Sequence, residues 1–330
     1  MARKKCGIYA ISAFFCLLAA VLSLCLGTAK LSLGDLLAAF SGGPRDTAGW
    51  IVYYVRLPRT AACLLSGGAL AVAGAVIQGV LCNSLASPSI IGVNSGAALA
   101  VTVCCALGFL SGWAIALAAF FGAMVCVLVV MFTAEKIGAS RTTVILGGVA
   151  VSSFFSALCE AVTTLVPEAG VLSSDFRVGG FSGVSYPRLI PAGILIVVAL
   201  AIVMTLRNEL EVLSLGEDTA QSLGLNVRAM RTLLLILAAM LSGASVSFAG
   251  LLGFVGLIVP HAARKLLGGE NSGLLPLCAL LGAGLVTACD TLARMAFAPY
   301  ELPVGILLSI LGGPFFVMLL IRKKGGKANG

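Results

Sequence analysis

The sequence predicts an all-α, polytopic membrane protein, because its composition, its long apolar runs and the placement of its charges all favour that class. The chain has 330 residues, of which 60% are hydrophobic and only 10% are charged, and its mean hydropathy is +1.11. A soluble domain carries about 45–50% apolar and about 25% charged residues. Too few charged residues remain here to cover a water-soluble fold. The composition therefore excludes a cytosolic enzyme, a secreted domain and a nucleic-acid-binding protein.

Ten apolar runs are predicted to cross a hydrocarbon core of about 30 Å. They cover residues 7–27, 60–81, 90–108, 112–134, 143–166, 189–206, 229–251, 254–267, 274–297 and 303–321. The eighth run is short and contains Pro260, so we expect a tilted or broken helix that its neighbours cover. The first run is about 20 residues, longer than the roughly 7–15 of a signal-peptide core, and is predicted to be an uncleaved span. Residues 1–330 are predicted to form one transmembrane domain.

The basic residues predict the orientation of these spans. With the N-terminus inside, 14 of the 21 lysines and arginines fall on the inner side and 7 on the outer side. This asymmetry satisfies the positive-inside rule. Since the number of spans is even, both termini are predicted to be cytoplasmic, and the net charge of +8 is explained by topology.

Small residues recur at near-helical spacing in three stretches. These are Ser66-Gly67-Gly68-Ala69, Ala73-Gly74 and Gly282-Ala283-Gly284. Small faces let helices approach closely in lipid, where burial of apolar area gives little driving force. They predict a compact bundle. Most of the eleven cysteines lie inside apolar runs and form no CxxC pair, so they are interpreted as packing residues.

Enzyme signatures are mostly absent from the sequence. No GxxxxGK[ST] motif is present to hold ATP phosphates, and the single histidine, His261, excludes HExxH and other His-pair metal sites. An intramembrane hydrolase would pair a serine with His261, which falls near the predicted cytoplasmic end of a span, so this hypothesis is poorly supported. We predict no catalytic residue, no metal ligand and no cofactor.

Charged residues within or beside the spans are candidates for function, because they are costly in the bilayer. Glu160 in the fifth span is either a pathway residue or a protonated carboxyl bonded to a neighbouring helix. Asp290 and Arg294 lie four residues apart on the ninth span, where they either act in function or neutralise each other. Arg56 and Arg59, in a short turn before the second span, form with Arg294 either a patch for carboxylates or a set of interfacial anchors.

A further candidate is the polar inner segment, residues 207–228. Its apolar positions fit one face of a short helix that is interrupted at Gly216 and ended by Gly224. Such an acidic, partly apolar helix pair is either a docking surface for another protein or a solvated loop, and the pattern alone leaves both open.

An ordered series of motifs carries a family resemblance. In the first half these are Arg56-Leu57-Pro58-Arg59, Gly68-Ala69-Leu70-Ala71, Ala73-Gly74, Gln78-Gly79, Asn83-Ser84-Leu85-Ala86 and Gly92-Val93-Asn94-Ser95-Gly96-Ala97. In the second half they are Leu213-Ser214-Leu215-Gly216-Glu217, Gly253-Phe254-Val255-Gly256-Leu257-Ile258-Val259-Pro260-His261, Asp290-Thr291-Leu292-Ala293-Arg294, Glu301-Leu302-Pro303-Val304-Gly305 and Gly312-Gly313-Pro314-Phe315-Phe316. From about residue 50 to 321, the chain resembles the FecCD-family permease subunits of type II ABC importers for iron–siderophores, heme and cobalamin.

The resemblance implies a set of partners in the cytoplasmic membrane. A second permease subunit would pair with this one in the lipid bilayer, two cytoplasmic ATPase subunits would bind the ATP, and an external binding protein would deliver the substrate. Whether the second permease is another copy or a paralogue stays open. So does the choice among siderophore, heme and cobalamin, because these permeases share the motifs.

The resemblance also implies roles for particular residues. Arg56, Arg59 and Arg294 would receive acidic residues of the binding protein. The cytoplasmic gate would comprise Asn83, Leu85, Thr142 and Thr143. The surface that couples to the ATPase would comprise Leu213, Leu215, Gly216, Glu217, Ala220, Leu223 and Gly224.

Three departures from the family pattern stand out. Ser84 replaces a proline, and Leu251 replaces another in the second-half loop, so each position gains a free φ and a backbone donor. The usual Trp-x-x-Gly-Ser motif reads Phe176-Arg177-Val178-Gly179-Gly180.

Two function hypotheses remain. The first is a permease subunit that imports an iron chelate, heme or cobalamin and is driven by ATP hydrolysis in its partners. The alternative is a self-sufficient secondary carrier with Glu160 as its coupling group, which the lack of a chain of ionisable residues disfavours. Dependence on an ATPase distinguishes them.

Overall fold

The structure is a computed structural model that describes residues 2–27, 34, 39, 43, 46–137, 140–268, 273–296 and 300–325. All regular secondary structure in these residues is helical. The helices are α1 Ala2–Cys25, α2 Thr47–Ile51, α3 Leu57–Val80, α4 Val93–Ala106, α5 Gly112–Ile137, α6 Arg141–Leu165, α7 Pro167–Leu172, α8 Ser174–Val178, α9 Tyr186–Thr205, α10 Arg207–Ser214, α11 Glu217–Ser222, α12 Val227–Ala249, α13 Val255–Leu266, α14 Leu274–Ala296 and α15 Val304–Gly325.

The apolar helices match the predicted spans. Among the described residues, seven helical stretches are long and apolar enough to cross a membrane, and two shorter apolar helices are Val93–Ala106 and Val304–Leu319. The eighth predicted run corresponds to α13, whose 12 residues are too few to cross the hydrocarbon core unaided. The predicted class, an all-α polytopic membrane protein, is confirmed.

The second span is longer than predicted. Helix α2, a π-helical turn at Val52–Arg56 and helix α3 join into one 34-residue stretch, Thr47–Val80. The prediction that Arg56 and Arg59 occupy a short turn is therefore wrong. Pro58 comes directly after the π-helical turn, at the start of α3, and the helix continues through it.

Helix α3 lies at the centre of the bundle, and two of its glycines touch neighbouring backbones. A Cβ atom built on Gly67 would lie 2.2 Å from the Gly282 carbonyl oxygen of α14, and one on Gly74 would lie 2.0 Å from the Gly256 oxygen of α13. No larger residue fits at such distances. The predicted close packing through small residues is thus present on both sides of α3.

Buried polar side chains add bonds between the same helices. The Ser66 and Ser245 hydroxyls are 2.5 Å apart between α3 and α12. The Gln78 side-chain amide donates to the Gly256 carbonyl at 3.2 Å and its oxygen accepts from Arg264, both on α13. In an apolar environment each such group needs a partner, so these bonds fix how the helices are turned toward one another.

We expect Gly74→Ala to destabilise the protein by about 1–3 kcal/mol, since the added methyl group overlaps the α13 backbone and neither helix can yield locally. The matched control is Gly7→Ala, where the built Cβ atom has nothing within 4 Å. Thermal unfolding of the purified variants in detergent measures both. Equal unfolding midpoints for the two variants would contradict the assigned contact.

Candidate functional site

At one end of the bundle, Asp290 of α14 joins two arginines. Arg59 forms a two-point contact with this carboxylate, from Nε to Oδ2 at 3.0 Å and from Nη2 to Oδ1 at 3.0 Å. Arg294, one turn further along α14, has its Nε 3.2 Å from Oδ2. The Asp290 side chain is buried. Its interpretation as a pair with Arg294 alone is therefore incomplete, because Asp290 also ties α14 to α3.

The same arginines reach beyond Asp290. The third nitrogen of Arg59 donates to Glu301 at 2.7 Å. Arg294 donates to the hydroxyl and the carbonyl of Ser23 at 2.9 and 3.2 Å. Arg56 donates to the Leu24 and Cys25 carbonyls at 2.6 and 2.8 Å. The two latter arginines thus hold the last turn of α1, where helix carbonyls carry partial negative charge.

The predicted outer patch is therefore an inward-turned cluster. Arg56, Arg59 and Arg294 do come together, but all three are buried in the isolated chain. Interfacial anchors would instead be exposed at the surface. The cluster contains three guanidinium groups and two carboxylates, Asp290 and Glu301, of which Glu301 is the more exposed. Contact with a binding protein stays a prediction.

We expect Asp290→Asn to lower the free energy of unfolding by about 3–5 kcal/mol, because it leaves buried guanidinium charge without its carboxylate. Glu168→Gln is the control, since it removes an exposed carboxylate on α7. Chemical or thermal unfolding in detergent checks both. If Asp290→Asn unfolds like the control, the carboxylate does not hold the cluster.

At the opposite end, α10 and α11 form the predicted helix pair. The chain breaks between them at Gly216, whose φ of +126° favours glycine, and α11 is followed by Gly224 with a φ of +82°. Glu217 at the start of α11 pairs with Arg231 of α12, 2.8 Å from Oε1 to Nη2. The pair is therefore fixed to the bundle.

Burial divides the predicted coupling residues into two groups. Leu213 and Ala220 are buried against the chain's own core, so they anchor the helices instead of presenting a surface. Leu215 and Leu223 are 65% and 63% exposed. Two large apolar side chains thus face outward from helices that are anchored to the bundle, and the role of this surface in docking stays a prediction.

The predicted gate residues lie in two local turns. The Asn83 side chain accepts from the Leu85 amide at 3.0 Å. Ser140 caps α6 by bonding the Thr143 amide at 3.1 Å and its hydroxyl at 2.7 Å, whereas Thr142 is exposed. Thr143 therefore has a helix-capping contact, and the gating role of all four residues stays a prediction.

The turn after α3 and the start of α6 both contact the helix pair. Arg141 donates to the Leu213 carbonyl at 3.2 Å, and the Cys82 sulfur lies 3.5 Å from the Ser214 carbonyl oxygen. Both predicted gate segments are thus linked through backbone carbonyls to the end of α10.

Glu160 lies near the C-terminal end of α6 and pairs with Arg177 of α8, 3.0 Å from Oε1 to Nη2. The two side chains are 65% and 40% exposed. Glu160 thus bonds to a neighbouring helix, as one of its two interpretations requires, and its partner there is the guanidinium of Arg177. Arg177 was not predicted as a site residue, and its only signal in the sequence is the departure from the family motif.

The exposed face of α6 differs from the exposed faces of the other long helices. Helices α1, α5 and α9 expose mainly aliphatic and aromatic side chains, as lipid contact requires. The outer half of α6 exposes Ser153, Ser156, Glu160 and Thr164, which fall on one helix face because they are three or four residues apart. A polar face of this kind is suited to water or protein, not to hydrocarbon.

The remaining candidate, His261, contacts an aromatic ring. Its imidazole lies edge-on to Phe315 of α15, with ring centroids 5.7 Å apart, and no hydrogen bond joins it to a serine within the described part of the chain. The Ser–His contact that a hydrolase needs is not formed there.

These features define a polytopic membrane protein with a glycine-packed helical bundle, a charge cluster at one end, an anchored helix pair at the other and one polar helix face. The chain belongs to the FecCD transport family, whose model matches residues 15–322.

Relatives and a solved structure agree with this assignment. The chain is 37% identical over 298 residues to the Fe(3+)-citrate import system permease protein YfmD of Bacillus subtilis, covering 90% of this chain and 89% of that protein. It is 36% identical over 317 residues to the vitamin B12 import system permease protein BtuC of Citrobacter koseri, covering 93% of this chain and 92% of that protein. The solved structure of an inward-facing ABC transporter assigned to the metal-chelate type matches this chain with a TM-score of 0.84 at 29% identity. The match covers 96% of this chain and 98% of that one.

Proposed function

We propose that this chain is the permease subunit of an ABC importer that moves an iron chelate, heme or cobalamin across the cytoplasmic membrane. ATP is bound and hydrolysed by two partner subunits, so this chain has no ATPase site of its own. The family assignment supports the transport class, and the anchored helix pair with outward-facing Leu215 and Leu223 is the observation that carries the ATP-driven mechanism.

The α10–α11 pair is suited to transmit force from an ATPase. Its outer face offers Leu215 and Leu223, while Leu213, Ala220 and the Glu217–Arg231 pair fix its inner face to the bundle. Movement of a docked ATPase therefore acts on the bundle instead of being lost in a flexible loop. The contacts of Cys82 and Arg141 with the end of α10 carry that movement to the turns that hold the proposed gate residues.

The polar face of α6 supports a shared pathway with a second permease subunit. Ser153, Ser156, Glu160 and Thr164 are exposed in the single chain, and hydrocarbon is a poor environment for them. A second subunit facing α6 across a water-filled passage removes these groups from lipid. Both a second copy and a paralogue meet that requirement.

The arginine cluster supports docking of an external binding protein. Arg59 already binds one partly exposed carboxylate, Glu301, so the cluster has the chemistry to accept an acidic side chain at its outer edge. A binding protein with acidic groups would compete with or join Glu301 there.

We expect Leu215→Asp to reduce retention of the ATPase and ATP-dependent uptake more than tenfold, because loss of an apolar anchor that the complex buries costs about 2 kcal/mol. The control is Leu107→Asp, which is 68% exposed just after α4 and far along the chain from α10. Both variants are purified in mild detergent from the native membrane, assayed for co-purifying ATPase and reconstituted into vesicles.

The secondary-carrier alternative makes the opposite prediction. If the chain purifies alone, transports without ATP and loses transport on Glu160→Gln while Leu215→Asp is without effect, the ABC importer proposal is wrong.

A further inference from the structure

Arg177 is the residue that the transport proposal leaves unexplained. It stands in the segment that departs from the family pattern, and its side chain is only partly covered by Glu160. Arg177 lies on the wall of an open concave surface of about 610 Å³. This surface has Asn94 and Ser309 as its other polar side chains, with Val178, Leu251 and Ile306 among the apolar ones.

The backbone that carries Arg177 is held firmly from two sides. The Leu251 amide donates to the Phe176 carbonyl at 2.9 Å, and the Gly305 amide donates to the Gly179 carbonyl at 3.1 Å. A Cβ atom on Gly305 would lie 1.9 Å from the Val178 carbonyl oxygen, so α15 packs directly on this segment. Arg177 is thus presented by a fixed backbone, as a binding residue must be.

The polar groups on this surface are suited to an anion. The Asn94 side chain has no hydrogen-bond partner among the residues that the structure describes, so its NH₂ group is available as a donor. Ser309 donates its hydroxyl hydrogen to the Gly305 carbonyl at 2.8 Å, so Arg177 and Asn94 supply the donors on this surface. A guanidinium group and an amide donor on the same concave surface offer hydrogen-bond donors to a carboxylate, and the Glu160 carboxylate already contacts the guanidinium at 3.0 Å.

The surface also adjoins the polar face of α6, which the proposed function assigns to the passage. Arg177 is joined through Glu160 to the polar face of α6, and the same concave surface extends to α15 through Ile306 and Ser309. A guanidinium facing hydrocarbon would be costly, whereas one facing a water-filled passage is available to a passing solute.

We propose that Arg177 and Asn94 bind a carboxylate of the transported compound, which displaces Glu160 from the guanidinium. This inference rests on the proposed function and narrows its substrate class to carboxylate-bearing iron compounds, which include both ferric citrate and hemin. Neutral cargo such as cobalamin or ferrichrome gains nothing from Arg177.

The test uses the complete importer, purified with its partners and binding protein and reconstituted into proteoliposomes. Uptake of ferric citrate, hemin, ferrichrome and cobalamin is measured with and without ATP, together with the ATPase rate. The variants are Arg177→Gln, Arg177→Lys and Glu160→Gln. The control is Arg188→Gln, which removes an arginine near the start of α9 that packs beside Gly112.

We expect the wild-type importer to take up ferric citrate or hemin, and whichever it accepts identifies the source of the carboxylate. Arg177→Gln lowers that uptake about tenfold or more, because one charge-assisted hydrogen bond to the carboxylate is lost. Arg177→Lys keeps the positive charge and restores part of the uptake. Glu160→Gln lowers the cargo concentration needed for half-maximal uptake, because the competing carboxylate is gone. A purely structural ion pair would instead make both substitutions harmful.

Two results would overturn the inference while leaving the importer proposal intact. One is ATP-dependent uptake of ferrichrome or cobalamin only, and the other is an Arg177→Gln variant that transports like Arg188→Gln. Uptake that needs no ATP would remove the importer proposal and this inference with it, so the ATPase measurement separates the two failures.

Discussion

Close backbone contact around α3 is the constraint on which the other features depend. Apolar burial drives helix association only weakly inside a bilayer, so tight packing and interhelical hydrogen bonds must supply the specificity. Gly67 and Gly74 bring α14 and α13 against α3 at distances that exclude any side chain. With the backbones so close, Gln78 reaches the Gly256 carbonyl and Arg59 reaches Asp290. The glycine contacts therefore also determine which polar groups can meet.

The charged groups near the two ends of the bundle have different structural roles. Asp290 joins Arg59 and Arg294 where α1, α3 and α14 come together, and a buried carboxylate between two guanidinium groups tolerates the loss of neither partner. The Glu217–Arg231 pair instead fixes a short helix to a long one. A rigid outer end and an anchored inner helix pair are what a subunit needs if force applied at one end is to move the whole bundle.

The exposed faces distinguish lipid contact from solute contact. Most long helices expose Leu, Val, Ile and Phe, but the outer half of α6 and the neighbouring Arg177 expose polar and charged groups. The cost of such groups in hydrocarbon favours water or protein on this side of the chain. In the proposed importer, this face supplies part of the passage and Arg177 selects the charge of the compound that passes.

The sequence by itself determined the fold class, the ten apolar helices and the small-residue contacts, because hydropathy and helical spacing are local properties that lipid enforces directly. Its motifs also identified the arginines, Asp290 and the α10–α11 pair. Only the tertiary structure decided which of these residues face inward: Leu213 and Ala220 are buried beside exposed Leu215 and Leu223, and the three arginines are turned into the bundle. The Glu160–Arg177 pair could not be predicted from the sequence either. It joins two helices whose relative placement depends on contacts with α12 and α15, which no local pattern encodes.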